Sequence, residues 1–230
     1  EIVIQAVKLA GRVLYYAAPG LRADKEVVLE AVKSAGLALY YADASLRSDR
    51  EIILEAVKSY GWGLYYASSD LKADREVVLQ AVRNDGRSFY YADPSLRSDR
   101  EVVLEAIKTS ASVFRHIHED LLVDRDFVLE VVKNKGEALQ YVSLRLRRDR
   151  EIVLEAVKND GFALQYADEL SKSDREVVLE AIKLHGSAIG YASPILKTDP
   201  DFLLEAVRRN HRVAEHIDPE LRDVLQLNNL

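Results

Sequence analysis

Apolar and polar positions follow the same order every 25 residues along this chain. The typical segment, E-[VI]-[VI]-L-[EQ]-A-[VI]-[KR], begins at Glu26 and returns in a constant register. Further copies begin at Glu51, Glu76, Glu101, Glu151 and Glu176, with looser copies at Asp126 and Asp201 and a first one at Glu1. Nine registers fit without insertion or deletion. An internal period of this kind is typical of a solenoid, in which each unit buries its apolar face only against its neighbours.

One repeat predicts two helices and a short connector. Asp24 stands at an N-cap position, where its carboxylate accepts amides of the next turn. The residues that follow are apolar except for one narrow polar stripe, which predicts a helix of about ten residues covered on more than one side. Gly36 predicts a helix end in the left-handed conformation that glycine adopts most readily. Residues 37–42 then predict a second helix, about seven residues long, and a one-turn connector carries Leu46 towards the next aspartate.

The apolar positions do not alternate as they do in strands, and the period is too short for tetratricopeptide or ankyrin repeats. The sequence therefore predicts an all-α fold, an α-solenoid of nine 25-residue helix-turn-helix repeats in a curved or superhelical rod. We expect a single repeat-array domain over residues 1–230. Residues 1–23 would form a partial first unit, and residues 218–230 a C-terminal cap.

Composition narrows the function classes. The formal net charge is −6 and the pI is about 5.5, which argues against a nucleic-acid partner because phosphate binding needs a basic surface. There is no long apolar run, so we expect a soluble chain with no membrane partner. The compartment stays unknown, and a natural chain would fit a cytoplasmic or secreted-effector setting. Cysteine and methionine are both absent, which leaves an engineered origin open beside a natural one.

The motif in Arg150 to Ala167, [KR]-[ED]-[VFI]-[VI]-L-E-A-[VI]-K-x-x-G-x-A-L-x-Y-A, resembles a tandem helical repeat family of unknown function from bacteria. The units of that family span about two of the present periods, and the family is frequent in intracellular bacteria, including their secreted effectors. In form the chain also resembles the leucine-rich-repeat variant, a short-period α-solenoid. The resemblance covers essentially the whole chain. It implies a helical scaffold and supplies no catalytic residues.

Variation on this constant frame indicates where specificity would lie, because equivalent positions form a continuous surface. Two neighbouring columns are aromatic, and the one that drifts along the chain is predicted to be exposed. That column and a nearby tryptophan form the candidate binding surface: Tyr15, Tyr40, Tyr65, Tyr90 and Trp62. Tyrosine and tryptophan are enriched in recognition surfaces. The alternative is that these rings only stack along the solenoid and shield its second helical layer.

The other charged and titratable columns have structural interpretations. The arginines that precede the helices, such as Arg50 and Arg75, are predicted to pair with acids of their own or the adjacent unit. His116 and His118 form a weak pair of candidate metal ligands without a supporting carboxylate. Nucleotide-binding, zinc-protease and nucleophile-elbow motifs are missing. We therefore predict no catalytic residue, no cofactor site and no metal site.

These observations favour a non-catalytic helical repeat scaffold, a module for protein–protein interaction or a fragment of a larger bacterial protein, with an unidentified protein or peptide ligand. The alternative is a designed or engineered repeat protein with no selected biochemical activity. An enzymatic role would require a catalytic domain elsewhere in a longer chain. At the start, residues 1–4 begin in mid-phase without an aspartate cap. We expect fraying over residues 1–10, end-to-end association through the N-terminal helix, or a missing upstream segment.

Overall fold

Each full repeat opens with an α-helix of ten residues that is capped by an aspartate. The computed structural model describes residues 1–227, and the chain divides into two compact units, Glu1–His118 and Glu119–Leu230. The long helices of the first unit are Ile2–Leu9, Lys25–Ser34, Arg50–Ser59, Arg75–Asn84 and Arg100–Thr109. Those of the second unit are Arg125–Asn134, Arg150–Asn159, Arg175–Leu184 and Pro200–Arg209.

The predicted aspartate caps are confirmed. Asp24 accepts a hydrogen bond from the backbone N–H of Val27, and Asp49 accepts from those of Glu51 and Ile52. The same arrangement occurs at Asp74, Asp99, Asp124, Asp149, Asp174 and Asp199. These carboxylates satisfy amides that have no partner inside the helix, and their charge is favourable at its N-terminus. The period of the caps therefore fixes where every long helix after the first begins.

The second element of each repeat is a 3₁₀ helix, tighter and shorter than the predicted seven-residue helix. These helices are Gly11–Tyr16, Gly36–Tyr41, Gly61–Tyr66, Gly86–Tyr91 and Ala111–Arg115 in the first unit. In the second unit they are Gly136–Gln140, Gly161–Tyr166, Gly186–Tyr191 and His211–His216. Within each unit, long helices pack against successive long helices and 3₁₀ helices against successive 3₁₀ helices. Two layers result, which is the arrangement of an all-α solenoid.

Short helical connectors complete the repeats. In the first unit they are Pro19–Arg22, Ala44–Ser48, Ser69–Lys72 and Pro94–Ser98. In the second they are Glu119–Val123, Leu146–Arg148, Glu169–Lys172, Pro194–Thr198 and Pro219–Val224. Residues 1–227 contain no strand. Of the predicted C-terminal cap, residues 218–227 are described and residues 228–230 lie outside the described range. The single domain and the rod shape stay predictions.

The core of each unit lies between its two layers. In the helix Lys25–Ser34, Val28, Ala31 and Val32 are fully buried, and Leu39 of the following 3₁₀ helix is nearly so. The same positions are buried in later repeats, for example Val78, Ala81, Val82 and Phe89. Each long helix is thus covered by its neighbours on most sides. This explains why the sequence is apolar around most of the helix rather than along one stripe.

The glycine that follows most of the long helices allows two repeats to pack closely. The prediction that it ends the helix in a left-handed conformation is wrong. Among the described residues a positive φ occurs at Gln226 and at no glycine. The turn is made by the preceding residue in an extended conformation, such as Asp85 with φ −148° and ψ 112°. A Cβ on Gly86 would lie 2.1 Å from the carbonyl oxygen of Ala106. Glycine is needed because the backbone of the next repeat occupies the space of a side chain.

The same glycines are held by a column of polar side chains that the sequence analysis did not assign. The backbone N–H of Gly61 donates to Asn84 Oδ1 at 2.8 Å, and the Nδ2 group of Asn84 donates to the carbonyl of Lys58 at 3.1 Å. Asn159 bonds Gly136 and Lys133 in the same way. Ser34, Ser59 and Thr109 accept from the N–H of Gly11, Gly36 and Gly86. In these five cases the last residue of a long helix thus fastens the preceding repeat.

Leu184 occupies this register at the end of its helix, is about half exposed, and has no group that could accept from Gly161. We expect Leu184→Asn to raise the free energy of unfolding by about 1 kcal/mol, because asparagine there would bond Gly161 and Lys158 as Asn159 bonds Gly136 and Lys133. Urea denaturation would measure the change. Leu184→Ala is the matched control, and an equal gain in both variants would show that removing the exposed leucine is the cause.

Candidate functional site

The tyrosines of the first unit form a continuous series of ring contacts. Tyr15 meets Tyr16 of its own repeat at 4.9 Å between ring centroids and Tyr41 of the next repeat at 5.3 Å, both edge to face. The same two contacts recur from Tyr40 and from Tyr65. We call the resulting set the tyrosine ladder: Tyr15, Tyr16, Tyr40, Tyr41, Tyr65, Tyr66, Tyr90, Tyr91 and His116. Edge-to-face contacts at these distances are attractive, so the ladder is held together along the unit.

The two sides of the ladder differ in exposure. The four predicted surface tyrosines, Tyr15, Tyr40, Tyr65 and Tyr90, are between 54% and 58% exposed. Of their partners, Tyr41, Tyr66 and Tyr91 are half-buried, whereas Tyr16 in the first repeat is 83% exposed. The predicted exposure of the drifting column is therefore confirmed, and the rings are presented by the tightly wound 3₁₀ helices. Their role in binding stays a prediction.

Trp62 joins the ladder from the side rather than standing alone on the surface. Its ring lies 5.6 Å from that of Tyr91, and its Nε1 donates to Asp85 Oδ2 at 2.8 Å. The guanidinium of Arg87 lies over the indole at 5.3 Å from the ring centroid. Bonds from Arg87 and from Trp62 lower the pKa of Asp85 to about 2, although its burial opposes this. These contacts fix the indole in one orientation.

Burial favours the neutral form of three rings of the ladder, His116, Tyr66 and Tyr91. Burial lowers the pKa of His116, and the positive charges of Arg97 and Arg115 lower it further. Burial also raises the pKa of the hydroxyls of Tyr66 and Tyr91. The ladder offers aromatic faces together with tyrosine hydroxyl groups that can donate or accept hydrogen bonds.

A column of cations runs beside the ladder on the connectors: Arg22, Arg47, Lys72 and Arg97, which we call the basic column. Arg22 and Arg47 share with Tyr15 and Tyr40 the walls of an open cleft of about 460 Å³. The Nζ atom of Lys72 lies 5.8 Å from the centre of the Tyr65 ring, and Arg47 lies 6.0 Å from that of Tyr66. Aromatic rings and positive charges thus line one surface.

The backbone at the basic column is fixed from repeat to repeat. The carbonyl of Arg22 accepts from the N–H of Asp43 at 2.8 Å, and that of Arg47 accepts from Ser68 at 2.9 Å. The carbonyls of Lys72 and Arg97 accept in the same way from Asp93 and His118. One hydrogen bond per repeat therefore sets the spacing of these cations, which a flexible surface loop would not do.

A second set of cations, at the starts of the long helices, is fully engaged within the fold. Arg50 donates through Nε to Asp74 at 2.8 Å and through Nη2 to Glu76, both in the next repeat. Equivalent clamps are formed by Lys25, Arg75, Arg125 and Arg150, and Arg175 bonds Asp199 in a related way. The predicted pairing with an adjacent repeat is confirmed. The guanidinium groups of these arginines are therefore already occupied by carboxylates of the fold.

In the second unit, both the column of exposed tyrosines and the column of connector cations differ from those of the first unit. Gln140, Gln165 and Gly190 stand in the column of the exposed tyrosines. Two of its connector cations are used internally, since Arg147 donates to the carbonyls of Val142 and Gln140 and Lys172 pairs with Glu169 at 3.1 Å. The column of exposed tyrosines and connector cations without an ion pair therefore occur side by side in the first unit, whereas Arg222 of the second unit has a buried Nε without a partner but Glu215 in the tyrosine column of its repeat.

Groups that could support catalysis or metal binding have other partners or stand apart. Within residues 1–227 no three side chains of histidine, aspartate or glutamate are placed to hold a metal ion. The ring of His116 packs on Tyr90 at 5.0 Å. The recurring acids act as helix caps and as clamp partners of the basic side chains. No helix among the described residues has both the length and the apolarity that crossing a membrane requires.

The fold and its repeated clamps define the class: this is an all-α solenoid built from tandem helical repeats. The family described as Domain of unknown function (DUF4116) matches the chain at residues 1–47, 24–72, 74–122, 124–171 and 174–222. These segments cover most of the sequence, so the chain belongs to this family. The resemblance to a tandem helical repeat family of unknown function is confirmed. No curated protein and no solved structure shows significant similarity to the chain.

The first two family matches share residues 24–47, which form the second half of one and the first half of the other. Each family unit therefore spans two of the 25-residue repeats, and one repeat can occupy either half. This agrees with the structure, in which successive repeats are fastened by the same aspartate cap, clamp and glycine contact.

The exposed tyrosines could be predicted from the sequence, but the basic column was not predicted. Its signal was visible: a basic residue stands two positions before the aspartate cap in most registers. The pattern alone does not distinguish these cations from those that follow the cap, because both recur with the same period. Only the distances show that Arg50 and Arg75 are paired with carboxylates and that Arg22 and Arg47 are not.

Proposed function

We propose that this chain is a non-catalytic binding scaffold and that the tyrosine ladder of the unit Glu1–His118 is its docking surface for a protein segment. The observation that carries the proposal is the four half-exposed rings at equivalent positions of successive repeats. A tyrosine presents a large, rigid, amphipathic surface and loses little conformational entropy when it is covered. Four of them in a row suit a ligand that extends along several repeats.

The assignment of other groups supports a scaffold rather than an enzyme. The aspartates that recur in register accept helix amides and basic side chains, and the glutamates two positions later complete the clamps. A general base or nucleophile would need a titratable group placed in a cleft with a shifted pKa and freedom to react. The acids of the repeats have fixed structural partners instead. An interaction module is the function that this distribution favours.

The test is a comparison of peptides selected from a displayed random library against the folded chain. We expect selected peptides to lose at least tenfold in affinity when Tyr15, Tyr40, Tyr65 and Tyr90 are all replaced by alanine, because such aromatic anchors contribute about 1–2 kcal/mol or more together. Fluorescence anisotropy with labelled peptides would measure the loss. Circular dichroism and urea denaturation would show that the variant is folded.

The matched control removes exposed apolar surface elsewhere. Leu144, Leu170 and Ile195 of the second unit are 75–76% exposed, and their joint replacement by alanine should leave affinity unchanged. If no selected peptide depends on the four tyrosines, the rings serve only to cover the second layer. That result would also be expected of an engineered chain with no selected activity. If the tyrosine variant unfolds at much lower urea, the stacking role is the correct one.

A further inference from the structure

We propose that the tyrosine ladder and the basic column together bind an extended acidic peptide segment, in which carboxylates three residues apart each meet one cation of the column. This inference rests on the proposed function and specifies the chemistry of its ligand. The two features lie side by side: Arg22 and Arg47 line the same cleft as Tyr15 and Tyr40. A ligand that covers the rings must therefore pass along the cations.

The cations of the basic column have hydrogen-bonding capacity that the fold does not use. In the described part of the chain, no carboxylate lies within ion-pair distance of Arg22, Arg47, Lys72 or Arg97, in contrast to the clamp cations. The Nε atoms of Arg22 and Arg97 are buried and have no hydrogen-bond partner. Buried donors are ordinarily satisfied, and each one left unpaired is unfavourable. A carboxylate offers two acceptor oxygens that match a guanidinium.

The acids nearest to the column are engaged by the connectors. Asp43 accepts from the backbone N–H of Ser45 at 2.9 Å, and Asp93 accepts from that of Ser95 at the same distance. Both feel the positive charge of neighbouring arginines of the column at longer range. They reduce the local positive charge without occupying the guanidinium groups. The cleft lined by Arg22 and Arg47 contains one acid, Asp43, so two cations face one capping aspartate there, in a chain whose net charge is −6.

The spacing of the repeats sets the spacing of the carboxylates. Packed helices of adjacent repeats lie about 8–10 Å apart, and an extended peptide rises about 3.3 Å per residue. Three residues of ligand therefore span one repeat. The intervening side chains would lie against the exposed tyrosines, whose hydroxyls can bond the peptide backbone. Such a segment needs about 12 residues to cover the four repeats.

The second unit supports the link between the two features. Where the exposed tyrosines give way to Gln140 and Gln165, the connector cations Arg147 and Lys172 are bonded within the fold. Arg222, in the last connector of the second unit, also has a buried Nε without a partner, but Glu215 stands in its repeat where the first unit has an exposed tyrosine. The combination of unpaired connector cations with a column of exposed tyrosines is thus found along the first unit. A nucleic acid is a weaker candidate because its evenly spaced phosphates would also face the acidic remainder of the chain.

The test uses a labelled synthetic peptide of about 12 residues with glutamate at every third position and valine or threonine between. We expect it to bind the full chain, and we expect a peptide with glutamine in place of glutamate to bind at least about tenfold more weakly, as charge-assisted bonds are lost. Affinity should fall as salt is raised, because these charges are accessible to solvent. A short oligothymidine serves as competitor, and displacement of the peptide by it at equal concentration would favour nucleic acid and overturn the proposal.

The residues are tested by two triple variants that remove the same charge. Replacing Arg22, Arg47 and Lys72 by glutamine should weaken binding of the acidic peptide at least about tenfold. Lys25, Arg50 and Arg75 are engaged in clamps. Replacing these three by glutamine should change the affinity for the acidic peptide by less than about threefold, since only screened charge is lost. If the second variant is poorly folded, Arg147, Lys172 and Lys197 of the second unit replace it as control. Equal weakening in both sets would reduce the effect to overall charge and overturn the assignment.

The outcomes separate this inference from the proposed function. If library peptides bind through the four tyrosines but are not acidic, and the glutamate peptide binds no better than its glutamine form, the scaffold stands and the acidic ligand is wrong. If no peptide depends on the tyrosines, the docking surface itself is wrong. Tyrosine-dependent peptides with acids three residues apart would establish both.

Discussion

Gly86→Val is expected to lower the free energy of unfolding by about 3 kcal/mol, at the upper end of the range for overpacked sites. A Cβ at this position would lie 2.1 Å from the carbonyl oxygen of Ala106 and 2.6 Å from Thr109 Oγ1. The first of these is a backbone atom in the middle of the next long helix and cannot rotate away. The substitution must push two repeats apart. This also breaks the hydrogen bond from Gly86 N–H to Thr109 Oγ1.

The measurement is urea denaturation at neutral pH, followed by circular dichroism, with amide exchange to locate the loss of protection. Gly20→Val is the control, because a Cβ there meets nothing within 4 Å. We expect Gly20→Val to shift the urea midpoint by at most a few tenths of the shift that Gly86→Val causes. A small change at Gly86, or an equal change at Gly20, would mean that the repeats separate easily and that the close approach is not required.

The start of each long helix could be predicted from sequence because one residue carries the signal. An aspartate followed by an apolar run has few structural interpretations, and Asp49 and Asp74 cap helices of the predicted length. The pairing of Arg50 and Arg75 with acids of the next repeat was also predictable, since a constant period brings the same columns together. Local chemistry and periodicity were sufficient for these features.

The role of the glycines could not be predicted in the same way. A glycine ten residues after a helix start is typical of a left-handed helix end, and that interpretation uses only the residue's own backbone. The true reason is the carbonyl of a residue twenty positions later, for example Ala106 opposite Gly86. That distance depends on how closely two repeats stack, which no single repeat encodes. Ala111 stands in the same register half-buried, so the need for glycine varies with the local approach.

Some features of the candidate site could be predicted from the sequence and others could not, for the same physical reasons. Exposure of Tyr40 and Tyr65 followed from the drift of their column into glutamine and glycine. Their edge-to-face contacts with Tyr66 and Tyr91 did not, because those contacts join residues of different repeats. The polar column that ends the long helices had a recognisable signal, since serine, asparagine and threonine share a side-chain oxygen. Its target, the glycine N–H of the preceding repeat, is visible only in three dimensions.

The second large effect is expected when the clamped caps are removed. Asp74→Ala and Asp149→Ala combined should lower the free energy of unfolding by at least about 2 kcal/mol, since an aspartate cap alone contributes about 1 kcal/mol. Asp74 also holds Arg50 of the preceding repeat, and Asp149 holds Arg125. The two sites share no partner, so their effects should add. Urea denaturation of the single and double variants at neutral pH would measure them.

A matched variant distinguishes the contribution of the ion pair from that of the helix cap. Asp24 caps its helix by accepting from Val27 N–H, and among the described residues it has no basic side chain within ion-pair distance. Asp24→Ala therefore reports the loss of a cap alone, although its helix is also nearer the start of the chain. We expect Asp74→Ala to exceed it. Equal losses would show that the arginine contributes little beyond covering the carboxylate, as many exposed ion pairs do.

The dependence on pH provides an independent check of the same clamps. The hydrogen bond from Arg50 lowers the pKa of Asp74 below 3.8, helped by the amides of Val77 and Glu76 and opposed by burial. The pKa of Asp149 is lowered in the same way, first by Arg125. A carboxylate whose pKa is lower in the folded state stabilises the fold fully above the unfolded value, and this contribution is lost as the pH falls through the folded value.

The difference in unfolding free energy between the wild-type chain and the double variant should therefore be constant from neutral pH down to about pH 5 and should narrow below about pH 4. Denaturation series at these values would show it, with Asp24→Ala carried in parallel. A difference that persists unchanged in acid would mean that the alanine variants act through helix propensity or packing and not through the charged state of the caps. The repeat would then be fastened by its glycine contacts, and the clamps would be secondary.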